Sequence, residues 1–185
     1  MKLNIDLGTL AGEEMKKLDA SQQQAIKYAL ANVILRTTQA VEDYLSSPEA
    51  EKKYSAIRDD DVDGQIAISL DTIQVSSNAL SDAYQKNSAF DVFGDKKEKI
   101  GKALTKGCEL AIKVNLLNET FSLYLEQRSQ EIPSDTSEEG VLTLIKGYVD
   151  EFTAKVQLPE LGEPIKQRLE LEYNLEKRGS TKVFR

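Results

Sequence analysis

Asp59, Asp61 and Asp63 alternate along a short acidic turn that closes on Gly64. Alternating carboxylates can aim several hard oxygens at one cation, and a glycine permits the sharp bend that gathers them. The same turn has a plainer use, in which its carboxylates cap the helix that follows, beside the positive end of the helix dipole. A second cluster, Lys96, Lys97, Lys99, Lys102 and Lys106, opens the longest helical pattern in the chain, with Glu119 and Glu126 towards its other end. That polarity opposes the helix dipole. It makes the five lysines candidate contacts for an acidic partner, another subunit or a phosphate-bearing ligand. The alternative is a solvated face neutralised by nearby Glu and Asp.

The spacing of Asp59, Asp61, Asp63, Gly64 and Ile66 resembles the calcium loop of EF-hand proteins at its first, third, fifth, sixth and eighth positions. The resemblance implies Ca2+ held by the three aspartates. It departs from the pattern at the twelfth position, where Leu70 replaces the bidentate Glu and Asp71 comes one place late. The chain also lacks the partner hand that usually steadies such a loop.

Other chemistry is bounded by what the chain lacks. It has no histidine and a single cysteine, Cys108. Ser–His and Cys–His nucleophile arrangements are thereby excluded, as are His-containing and thiolate-rich zinc sites. Neither G-x-x-x-x-G-K-[ST] nor G-x-G-x-x-G occurs, so both common nucleotide cradles are missing. Cys108 has no base to activate it and reads as a half-buried structural thiol. Paired carboxylates remain available as acid and base, with no pair singled out, and the balance leans against an enzyme.

The 185 residues carry a net charge of −7, with 40% apolar and 30% charged residues and 6% aromatics. An acidic surface without a dominant basic patch disfavours nucleic acid and anionic membranes. A lone cysteine precludes an internal disulfide and suits the cytoplasm. The opening MKLNIDLGTL has Asn4 and Asp6 where a secretory leader needs an apolar run, and no stretch approaches transmembrane length.

The elements that must position these residues are helices. From Asp95 to Gln130 no proline intervenes, and Ile100, Ala103, Gly107, Leu110, Val114, Leu117, Phe121 and Tyr124 recur in steps of three and four. Such a row lies on one face of a helix about 50 Å long. Gly107 in that row offers a place where another helix approaches closely. Before it, Ser21 and Gln24 form a capping-box pattern opening a helix to about Ser46, with Ile26, Leu30, Val33, Ile34, Thr37, Val41, Tyr44 and Leu45 on its apolar face. Ser47-Pro48 starts a short helix. Residues 65–84 fit a helix throughout, whereas a reading as two short strands breaks at Asp71-Thr72. Lys86 to Gly94 is a loop that tucks in Phe90 and Phe93. Thr136 with Glu139 caps a helix through Val156, and a last helix beginning near Pro164 ends at Gly179.

The expected fold is an all-α, antiparallel-type bundle of five or six helices around one long central helix, about residues 95–130. A single domain spans 1–185, with an alternative division near Gly94. Residues 1–8, where Leu3, Ile5 and Leu7 alternate with polar neighbours, form an extended arm or short strand, and residues 180–185 form a basic arm. The expected function is non-enzymatic docking to a protein partner or to copies of itself, as an assembly subunit, adaptor or inhibitor. The alternatives are a calcium-responsive module using residues 59–64 and a carboxylate-based enzyme.

Overall fold

The computed structural model describes residues 12–180 of the chain. The expected arm at 1–8 lies outside them, as does the basic arm apart from Ser180. The protein is an all-α bundle with no strand among the described residues. After a helical turn at residues 12–15, the α-helices are α1 (Ala20–Leu45), α2 (Pro48–Tyr54), α3 (Val62–Lys86), α4 (Lys97–Ser129), α5 (Glu138–Lys155) and α6 (Gly162–Ser180). Two 3-10 segments, Ser88–Lys96 and Pro159–Leu161, lead into α4 and α6. Contacts divide the chain into two compact units, Met1–Ile112 and Lys113–Arg185, with the boundary inside α4.

Caps define the helix starts. Asp19 accepts the Gln22 backbone N–H at 2.8 Å while its own N–H donates to the Gln22 side chain at 3.0 Å. The capping box of α1 is therefore Asp19–Gln22, two residues earlier than the Ser21–Gln24 pair. Carboxylate and amide supply the same reciprocal bonds as Ser and Gln, so periodicity alone did not discriminate the two frames. Ser47 caps α2, with Pro48 in its first turn. Ser137 caps α5 by accepting the Gly140 N–H, one residue beyond Thr136. The last helix begins at Gly162 and runs through Gly179 to Ser180, so Gly179 does not terminate it.

In the first unit, α1 packs along α3 and against the first 3-10 segment. Its core joins Ile26, Ala29 and Val33 of α1 to Leu80, Ala83 and Tyr84 of α3, Phe90 and Phe93 of the 3-10 segment, and Ile100 of α4. The stretch expected as a loop thus carries two core aromatics on a 3-10 backbone. That backbone is kinked at Gly94, whose φ of 53° with ψ of −131° suits glycine and strains other residues. Residues 65–84 are helical, as the unbroken 3.6-residue template required.

In the second unit, Leu116, Leu117 and Tyr124 of α4 are buried, as are Tyr148, Val149, Phe152 and Val156 of α5. The Phe152 ring lies 5.2 Å from Phe121 and 5.0 Å from Tyr124, a tilted aromatic cluster. Glu151 Oε2 accepts from the Tyr124 hydroxyl at 2.8 Å and from Arg128 at 3.0 Å, tying α4 to α5 beside that cluster.

Candidate interaction surfaces

The acidic turn is built around the start of α3. Asp59 and Asp60 lie in the turn, Asp61 is the N-cap and Asp63 falls within the first helical turn. The Asp61 carboxylate accepts the Gly64 N–H at 3.0 Å, and Asp60 pairs with Arg58 at 2.8 Å. Because the backbone enters the helix at Val62, residues 62–70 do not wrap as a loop. Among the described residues no group of three or more Asp, Glu, Cys or His side chains is arranged to hold a metal ion.

Three of the five candidate lysines take part in bonds within their own unit. Lys96 pairs with Glu14, Lys97 donates to the Gln85 carbonyl at 2.9 Å and to Asp91 at 2.6 Å, and Lys102 pairs with Glu98 one turn back. Lys99 and Lys106 are exposed and have no ion pair among the described residues. The lysines of the first turns thus fasten the 3-10 segment and the helical turn at 12–15, where the unfavourable dipole is offset by specific carboxylate and carbonyl acceptors.

Cys108 is exposed on α4, not half-buried. Its pKa is raised, first by partial desolvation and then by the adjacent Glu109 carboxylate. Both effects hold it as a thiol, the less reactive form.

Among the described residues, the carboxyl groups moved by the fold move downwards. Lys17 and then Lys96 hold Glu14 below its ordinary range, Lys53 and then Tyr54 do so for Asp71, Lys102 for Glu98, and Gln167 and then Lys166 for Glu163. A general acid needs the opposite shift, usually from an apolar pocket.

Two surfaces stand out for binding. The first is on α1, where Tyr28, Ile34 and Leu35 are 70%, 62% and 67% exposed. They occupy the side away from Ile26, Ala29 and Val33, which face the core at 6% or less. Ile34 and Leu45, expected on the inward face, point outwards, and Tyr28 and Leu35 join them. A helix with apolar residues over more than half its circumference cannot bury them all against one neighbour. The second is a groove of about 620 Å³ between α5 and α6, with Val141, Leu142, Ile145 and Leu169 among its lining and Glu138 and Glu172 beside them. The Tyr173 hydroxyl reaches Glu138 at 3.4 Å, and Lys177 lies 4.8 Å from the centre of the Tyr173 ring.

No protein-family model, curated protein or solved structure matches this chain. Among the described residues, no helix is long and apolar enough to cross a membrane.

Proposed function

We infer that this protein works by docking helix faces against other protein surfaces, without bond-making chemistry, and does so in the cytoplasm, where its one thiol stays reduced. The observation that carries this reading is the second apolar side of α1. Single exposed hydrophobics are ordinary on a protein surface. Tyr28, Ile34 and Leu35 are different, because they fall within two turns on one side of a 26-residue helix. Fully burying one such side chain is worth about 1.5–3 kcal/mol, so three together supply the centre of an interface. The downward-shifted carboxyls, the missing histidine and the raised pKa of the Cys108 thiol favour a reading without catalysis.

The reading is tested with an Ile34→Glu/Leu35→Glu double variant. Both positions are solvent-facing, so helicity and melting temperature should stay near wild type. Binding to protein partners, measured by affinity capture and confirmed with purified components, should be lost. A folded double variant that keeps its partners and its self-association unchanged would refute the reading.

A further inference from the structure

We propose that the outward face of α1 pairs with the same face of a second copy of this chain, the two helices running antiparallel about a two-fold axis beside Ile34 and Leu35. The inference rests on the docking reading and names its partner.

The argument begins with spacing. Tyr28, Ala31, Leu35, Thr38, Glu42 and Leu45 follow one another in steps of three and four, the repeat that keeps a helical seam facing a partner helix. Each is exposed. Leu35 lies near the middle of this seam, and Ile34, the next residue and about 100° round the helix, borders it. Ala31 and Thr38 flank Leu35, and small residues there let two backbones approach closely.

Charge then selects the orientation. Lys27 lies seven residues before Ile34, and Glu42 lies seven residues after Leu35. Turning the helix end for end about the Ile34–Leu35 midpoint therefore carries Glu42 of the second copy to the end of the seam where Lys27 and Tyr28 lie. An ammonium and a phenol, both donors, meet a carboxylate, and the two-fold axis repeats the arrangement at the other end. A parallel pairing would instead set Glu42 against Glu42 and Lys27 against Lys27. Lys27 and Glu42 are both exposed, and neither has an ion-pair partner among the described residues. An isologous contact requires a surface that is complementary to itself, and this one is so in charge as well as shape.

The test is made on the full chain. Sedimentation of the wild type should show a concentration-dependent dimer, and Leu35→Glu should give a monomer of unchanged helicity. Lys27→Glu and Glu42→Lys should each raise the dimer dissociation constant several-fold, and the double reversal should bring it back. In a Cys108→Ser background, Leu35→Cys should oxidise to a covalent dimer. Leu45→Cys should not, because an antiparallel pair holds the two copies of that position about 30 Å apart. Equal cross-linking at both positions, or a double reversal that fails to restore pairing, would overturn the antiparallel dimer. So would a wild type that is monomeric at every concentration. If such a monomer still lost a different protein partner on Leu35→Glu, this inference alone would fall and the docking reading would survive.

Discussion

The Tyr84 ring packs so closely over Gly101 that a methyl group at position 101 would lie 2.7 Å from ring carbon Cε1. Tyr84 has no solvent exposure and stacks on Phe90 with ring centres 4.2 Å apart. The contact joins α3 to the start of α4 at the point where the first 3-10 segment delivers its aromatics to the core.

Gly101→Ala places two effects in opposition. Alanine improves helix propensity by about 1 kcal/mol. Overpacking against a ring that Phe90 holds in place costs about 1–3 kcal/mol. The expected outcome is a net loss of about 1 kcal/mol, measured by urea denaturation, together with a changed near-ultraviolet tyrosine signal. A gain in stability would show that the ring moves freely.

Tyr84→Phe should act the other way. The hydroxyl is buried with no hydrogen-bond partner among the described residues, so its removal should raise stability by up to about 1 kcal/mol at neutral pH. Burial pushes the Tyr84 phenol up from 10.0 to about 12. The folded state therefore favours the protonated phenol. Its contribution is fully present below pH 10 and is lost as pH rises from about 10 to about 12. The gap in melting temperature between Tyr84→Phe and wild type should widen across that window and stay constant below it.

Asp71 gathers the chain between α1 and α3. Its Oδ2 accepts from Lys53 and from the Tyr54 hydroxyl, and Tyr54, its one proton committed there, accepts from Tyr44 at 2.8 Å. Lys53 and then Tyr54 hold the Asp71 carboxyl below its ordinary value of 3.8. A depressed carboxyl stabilises the fold above that value, and its contribution disappears as pH falls through the folded-state pKa. Asp71→Asn should cost on the order of 1 kcal/mol at pH 7, a modest figure because the pair is partly solvated. The difference from wild type should be constant near neutral pH and shrink in thermal melts as pH falls below that ordinary value.

Asp61 separates capping from metal binding. Asp61→Ala removes the bond to the Gly64 N–H and should destabilise by about 1 kcal/mol, whereas Asp61→Asn, an equally good cap, should remain near wild type. Millimolar Ca2+ should leave the melting temperature of all three proteins unchanged. A calcium-dependent rise in the wild type that Asp61→Asn abolishes would show a metal site.

Periodicity was sufficient for the long helices because each obeys a local rule, whereas the 3-10 segment Ser88–Lys96 was read as a loop. The long row from Ile100 to Tyr124 became α4, and the template over 65–84 became α3. Cap positions were legible only to within a residue or two, since Asp19 and Ser21, or Thr136 and Ser137, offer equivalent oxygens to the same exposed N–H groups. The candidate surface was harder to see. Ile34 and Val33 are neighbours in sequence and equally apolar, yet Val33 is in the core and Ile34 in solvent.

Composition and spacing alone were enough to establish a helical chain with no histidine and a single cysteine, because residue type and the 3.6-residue turn are properties of the chain itself. Which apolar side of α1 meets the core, and which glycine admits a ring, were settled only when α3 and the 3-10 segment packed against it. Burial belongs to pairs of surfaces, and no residue carries the identity of its neighbour from across the fold.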